Sequence, residues 1–156
     1  MLNFRKAKID DIKLYHHWAN EINVREQSFN SNLIDFDEHK TWFESKLKDE
    51  NCTMLVFSNL EGIEIGQVRI QKENNTDALI GISIAVDQRG KGFSKLMLEM
   101  SSDYFLKSNP FFKINAFIKH TNLTSKFAFE KAGFEFIGMK LYQNQKSFHF
   151  KKTVCK

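Results

Sequence analysis

At 156 residues and 18.3 kDa the chain has room for one domain with its own core and little beside it. A composition of 42% hydrophobic and 27% charged residues lies near the globular average and excludes collagen-like, disordered and mucin-like classes. The net charge of +4 divides unevenly: residues 1–86 carry 10 basic and 14 acidic side chains, residues 87–156 carry 13 and 5, so a polyanion belongs against the second half or a cation against the first.

Leu2–Lys8 alternates apolar and basic residues, as a strand does. Asp10 or Asp11 follows as the N-cap of a helix to about Asn20, with Ile12, Tyr15, Trp18 and Ala19 on one face. Residues 21–36 read as polar and irregular. Asp37 and Glu38 then open a helix to about Lys48 that buries Trp42, Phe43 and Leu47. Thr53–Ser58 and Glu64–Gln71 flank Asn59-Leu60-Glu61-Gly62, a hairpin signal. Ala78–Val86 is apolar almost throughout and reads as a strand buried on both faces. Beyond Asp87, Phe93, Leu96, Met97, Met100 and Tyr104 recur at helical spacing. Lys113–Ile118 is a strand, Asn122–Ala132 a helix, and Phe134–Lys140 and Ser147–Val154 the last two strands. The order β-α-α-β-β-β-α-β-α-β-β describes an α/β (α+β) fold in one domain over residues 1–156, with a mixed central sheet of about seven strands and four helices.

Several classes drop out. Cys52 and Cys155 lack metal-ligand spacing and, in a chain with no leader-like segment, read as free thiols of a cytoplasmic protein. No apolar run approaches the roughly 20 residues of a membrane helix. Residues 140–156 hold Lys140, Lys146, Lys151, Lys152 and Lys156 and no acid, but these alternate along strands and form no groove-sized helical face, which argues against nucleic acid.

The chemistry concentrates where the strand ending Ile84-Ala85-Val86 runs into Arg89-Gly90-Lys91-Gly92-Phe93-Ser94 and a helix. Two closely spaced glycines open backbone conformations closed to other residues, so that successive N–H groups can converge as an anion nest. The helix adds its positive N-terminus, and Arg89, Lys91 and Lys95 surround it with cations. Lys95 stands where a dinucleotide fingerprint needs its third glycine, and the phosphate-loop pattern of nucleotide hydrolases is absent.

Arg89 to Ser94 resembles the R/Q-x-x-G-x-G/A motif of the GNAT superfamily of acyl-CoA-dependent N-acetyltransferases. Downstream, Asn122, Ser125 and Phe129-Glu130-Lys131-Ala132-Gly133-Phe134 resemble that superfamily's Asn-x-x-Ala/Ser and Tyr-Glu-Lys-x-Gly-Phe. The resemblance implies that Arg89, Gly90, Lys91, Gly92, Phe93 and Ser94 hold the pyrophosphate of acetyl-CoA. The pantetheine would add to Ile84, Ala85 and Val86 where two parallel strands splay, with an N–H near Ile84 or Ala85 facing the thioester oxygen and Asn122 contacting the cofactor. Two departures stand out. Ser94 replaces the final Gly/Ala, and Phe129 occupies the place of the tyrosine that commonly protonates the leaving thiolate.

The implied reaction is direct attack of an amine on acetyl-CoA. Without that tyrosine, the proton could come from water, Ser125 or Tyr142, or the thiolate, with a thiol pKa of about 8.5, could leave as the anion. His39, opening the second helix beside the polar segment, is the candidate base among His16, His17, His39, His120 and His149; a helix histidine bonded to the backbone is the plainer reading of it. Arg25, Ser28, Phe29, Asn30, Gln67 and Arg69 are the candidate acceptor-binding residues, with Trp42 a stacking surface or core. The stretch Trp18–Ser31 together with Glu38–Phe43 is similar to a subgroup acetylating the 4-amino group of nucleotide-linked amino-dideoxy sugars, as in pseudaminic acid pathways. A protein N-terminus or a small polyamine is the alternative acceptor, the latter suiting the acidic first half, and a non-catalytic acyl-CoA-binding domain the alternative of another class. As partners the reading expects a small-molecule amine, no membrane, and a monomer or homodimer.

Overall fold

Seven strands form one sheet in the order β1-β2-β3-β4-β5-β7-β6, and only β4 and β5 run parallel. The strands are β1 (Leu2–Lys6), β2 (Cys52–Asn59), β3 (Glu64–Lys72), β4 (Asp77–Ile84), β5 (Lys113–Lys119), β6 (Glu135–Tyr142) and β7 (Gln145–Lys152). The helices are α1 (Ile12–Ala19), α2 (Ile22–Gln27), α3 (Phe36–Lys48), α4 (Phe93–Ser108) and α5 (Leu123–Lys131). This computed structural model describes residues 1–154; Cys52 is half-buried at the start of β2, and Cys155 lies outside the described residues. No helix among the described residues is long and apolar enough to cross a membrane.

Period-two alternation sorts the strand side chains onto two faces. On one, Leu55, Phe57, Val68, Ile70, Ala78, Ile114, Ala116 and Phe150 pack against Met97, Leu98, Phe105 and Leu106 of α4 and Phe129 of α5. Each such large side chain contributes about 1.5–3 kcal/mol when fully buried. On the other, Met54 and Val56 meet Tyr15 and Trp18 of α1 and Phe43 of α3. That second layer covers the β2–β3 half of the sheet and leaves the face of β4 and β5 accessible.

The expected element order holds, with one addition. Residues 21–36 contain the short helix α2, capped by Glu21, whose carboxylate accepts the Val24 N–H at 3.2 Å. It buries no side chain and carries no apolar stripe, so the periodicity that marks the other helices is missing there. Capping also differs from expectation. Asp11 stands at the N-cap position of α1, but its side chain makes no bond to that helix; it is buried and takes two bonds from the Arg5 guanidinium, both 2.8 Å, and one from the Lys8 N–H. Asp37 and Glu38 stand in the first turn of α3 as expected, and Asp35 caps that helix by accepting their N–H groups. Of the three α3 residues expected inside, Phe43 is fully buried while Trp42 and Leu47 are half-buried. Strand β4 stops at Ile84, and only Ala78 and Ile80 along it are buried, because its second face borders a cleft rather than core.

Two predictions follow from this packing. A Cβ at Gly66 would stand 2.3 Å from the Ser83 carbonyl oxygen and 3.1 Å from the Met97 methyl. Gly66→Ala should therefore lower stability by about 1–3 kcal/mol, read as a fall in the thermal midpoint. Burial pushes the Asp11 carboxyl pKa up, but the Arg5 guanidinium and the Lys8 N–H outweigh it and leave the value below the ordinary one. Its share of stability is thus present above pH of about 4 and disappears as pH falls through the lowered folded value. Denaturation curves of Asp11→Asn against pH should lack that acid-side loss.

Candidate active site

β4 and β5 pair over only three residues each, Asp77–Leu79 with Lys113–Asn115. Beyond that point β4 stays with β3 as far as Ile84, and β5 stays with β7 as far as Lys119, so the two parallel strands part. The Ala85 N–H bonds the Ile65 carbonyl at 2.7 Å and fixes the phase of the β3–β4 ladder. In that phase Ser83 and Gly81 bond to β3, while the N–H and C=O groups of Ile82 and Ile84 point at the opening. The opening is a cleft of about 430 Å³ lined by Ile82, Ser83, Ile84, Arg89, Gly90, Ser94, Phe117, Asn122, Ser125 and Phe129, among others.

Its far end is the glycine loop. Gly90 and Gly92 have φ of +75° and +80°, the left-handed conformations expected of them. Among the described residues, the N–H groups of Arg89 through Ser94 form no backbone hydrogen bond. They stand free at the N-terminus of the sixteen-residue α4, which is the arrangement of an anion nest. The cations around it differ in availability. Arg89 is engaged, donating to the Ile84 carbonyl at 3.1 Å and to Glu21 at 2.7 Å, and Lys91 reaches Gln88 at 3.3 Å. The Phe93 side chain packs into the main core, leaving only its main chain to the loop. Asn122 caps α5 by accepting the Ser125 N–H at 3.3 Å, which brings both residues to the cleft wall.

Two strand-end residues do not fit the expected cofactor edge. The Ala85 N–H is occupied by Ile65, so of the two N–H groups considered for the thioester oxygen the free one is that of Ile84. Val86 has left the strand, is exposed, and lies with Ala85 beside Leu14, His17 and Glu21 instead. Phe129 is buried edge-on against Phe134 at 5.0 Å, its ring backing the cleft with no hydroxyl to offer.

A second cleft of about 490 Å³ adjoins the first and shares Val24, Ser28, Gly81, Ile82 and Ser83 with it. Arg25, Ser28, Gln67, Arg69 and His39 all line it, as expected, and Trp42 joins them. Phe29 and Asn30 do not; Phe29 lies edge-on to Tyr142 at 4.8 Å, and Asn30 is exposed. Tyr142 lines neither cleft and stacks on Phe117 at 4.3 Å. Arg25 is a staple, donating to the carbonyls of Ala19, Asn30 and Asn32 and to Ser28 Oγ. Arg69 makes only a cation–π contact, 5.0 Å above Trp42. Gln67 donates to Ser83 Oγ at 3.0 Å. His39 is buried with Nε2 on the Ile12 carbonyl at 3.2 Å, and burial lowers its pKa, so it is neutral near pH 7. That is the plainer of the two readings of His39, realised on a cleft wall.

Two residues, one on a wall of the second cleft and one beside Arg89, escape the sequence. Tyr15 reads as one more member of an apolar helix stripe, yet it lines the second cleft. Glu21 carries no motif and shows itself only through the fold, as the partner of Arg89.

The acetyltransferase (GNAT) domain family matches residues 1–135. No curated protein sequence matches the chain. Among solved structures, the spermidine N-acetyltransferase from Vibrio cholerae in complex with CoA and spermine superposes with a TM-score of 0.87 at 21% identity, covering 97% of this chain and 94% of that one. The aminoglycoside acetyltransferase AAC(6')-Ib in complex with coenzyme A gives 0.82 at 20%, covering 98% and 95%. With its splayed parallel strands, glycine nest and family match, the chain belongs to the GNAT acetyltransferases, enzymes that move an acetyl group from acetyl-CoA to an amine nitrogen.

Proposed function

We propose that acetyl-CoA lies along the first cleft, that the amine of a small molecule enters by the second, and that transfer occurs where they meet beside Ile82 and Ile84. The continuity of the two clefts across Gly81, Ile82 and Ser83 carries this reading. Pyrophosphate fits the free N–H groups of residues 89–94, with Lys91, Lys95 and Ser94 at hand. Arg89, held by Glu21 and Ile84, positions the loop. Pantetheine suits the unpaired edge of β4, and the Ile84 N–H suits the oxyanion that develops as the amine attacks the thioester. The new C–N bond forms as the C–S bond breaks, and coenzyme A departs as thiolate or thiol.

Proton handling follows from the same walls. A neutral His39 can accept the proton lost by the attacking amine through its second ring nitrogen, since Nε2 is bonded to Ile12. Ser125 puts a hydroxyl on the first cleft's wall and is the better placed of the two proposed donors to the thiolate, Tyr142 lying outside the cleft.

For the acceptor, a small amine is better supported than a nucleotide-linked sugar. The structural neighbours act on spermidine and on aminoglycosides. Arg25, one of the two arginines among the candidate acceptor-binding residues, has its guanidinium engaged on three carbonyls and a hydroxyl and is not free for a nucleotide diphosphate. The polyamine alternative therefore stands ahead of the nucleotide sugar on the comparisons, and a peptide N-terminus has no observation of its own.

The test is release of free coenzyme A thiol from acetyl-CoA with a panel comprising spermidine, kanamycin, a nucleotide-linked amino sugar and a short peptide. Turnover with a small amine is expected; tight coenzyme A binding with no thiol released by any amine would mean a binding domain instead. Gly92→Trp should raise the dissociation constant for coenzyme A at least a hundredfold in calorimetry. The indole would cover the nest, and the left-handed φ adds roughly 1–2 kcal/mol of strain.

A further inference from the structure

Arg69 is the one arginine of the described residues whose guanidinium has neither an ion-pair partner nor a hydrogen-bond acceptor in the protein. It is half-buried against the indole of Trp42, and the titratable groups near it are Cys52, Tyr15 and Tyr142, with no carboxylate among them. Partial burial without a counter-charge disfavours the charge of the guanidinium there. Independently, the only two buried side-chain polar atoms left without a partner among the described residues are Tyr15 Oη and Gln67 Oε1, and both residues line the same cleft as Arg69. Buried polar groups are normally satisfied, and a cluster of unmet ones on a cleft wall has the chemistry of what should fill it. Arg69 and the Tyr15 hydroxyl are donors, complementary to an oxyanion. Gln67 Oε1 is an acceptor, complementary to an N–H or O–H. The cleft's carboxylate, Glu38, stands on its α3 wall.

We infer that the acceptor is an amine that also carries a carboxylate or phosphate, and that Arg69 with Tyr15 forms the subsite for that acid. This rests on the second cleft being the acceptor cleft. Arg69 faces Gly81 across the β3–β4 ladder, three residues from Ile84, so the acid lies roughly 10 Å along the strand from the proposed reaction point. That span suits a short aliphatic chain or one sugar ring between amine and acid. A polyamine has no group for Arg69 and would leave the guanidinium as it is.

Matched pairs test this on the full chain loaded with coenzyme A: lysine against cadaverine for a carboxylate, and glucosamine 6-phosphate against glucosamine for a phosphate. Affinity by calorimetry and kcat/KM by thiol release are both read. The acid-bearing member of at least one pair should be favoured about ten- to hundredfold, the pair responding identifying which acid is taken. Arg69→Gln should collapse that ratio toward one, chiefly through KM, while Arg69→Lys retains part of it; coenzyme A affinity and the thermal midpoint report that each variant is folded. Equal or reversed preference in both pairs, binding of neither acid-bearing amine, or a ratio unchanged in folded Arg69→Gln overturns the subsite. The broader reading fails separately. A chain that acetylates spermidine or kanamycin without distinguishing the pairs keeps its activity assignment and loses the subsite, whereas one that binds no coenzyme A loses both.

Discussion

The parting of β4 from β5 is the constraint on which the rest depends. A parallel pair normally continues until one strand ends, yet here three residue pairs suffice and each strand is then held by its outer neighbour alone. Arg89 takes up the Ile84 carbonyl, and the cost of leaving the Ile82 main chain and the Ile84 N–H without a strand partner is offset by the long antiparallel ladders on either side and by α4 and α5, which close the sheet from beneath. Once the strands diverge, the cleft, its polar edge and its junction with the second cleft all follow. Gly66 and Gly81 belong to the same design: one lets β3 approach the Ser83 carbonyl, the other leaves the cleft floor bare.

Electrostatics then divides the labour. The nest at Arg89–Ser94 works through main-chain N–H groups and the helix terminus, with lysines nearby as mobile charges. The two arginines of the second cleft do opposite things despite their shared chemistry. Arg25 is folded into the loop that follows α2 and holds its shape, while Arg69 is carried on a strand, rigid at its root and unclaimed at its tip. Sequence composition shows both as single positive charges in an acidic half, and only the acceptors around each tell a staple from a binding group.

Legibility of the fold tracked the strength of local patterns. Strands with period-two alternation and helices with an apolar stripe could be placed to within a few residues, and Gly90 and Gly92 announced their left-handed conformations by being glycine. The short helix α2 could not, because Glu21 and Ser28 build it from caps rather than from burial. The end of β4 is not legible, because Ala85 and Val86 are as apolar as the strand before them, and apolarity does not say where a ladder stops. In the candidate site, the glycine loop is readable because its chemistry lies in consecutive residues. The second cleft draws on α1, α2, α3, β3 and β4, so its membership depends on tertiary placement. Tyr15 illustrates this: its ring belongs to the core the periodicity reveals, and its hydroxyl to a wall that no local pattern contains.

Glu21 occupies two positions at once. Its carboxylate caps α2 through the Val24 N–H and holds Arg89 of the cofactor loop, and Val24 itself lines both clefts. The same carboxylate oxygen accepts both bonds, so the cap of α2 and the anchor of the glycine loop share one atom. One carboxylate thus touches the margins of both clefts, and any coupling of binding that ran through it would be reciprocal, each ligand changing the other's affinity in equal measure.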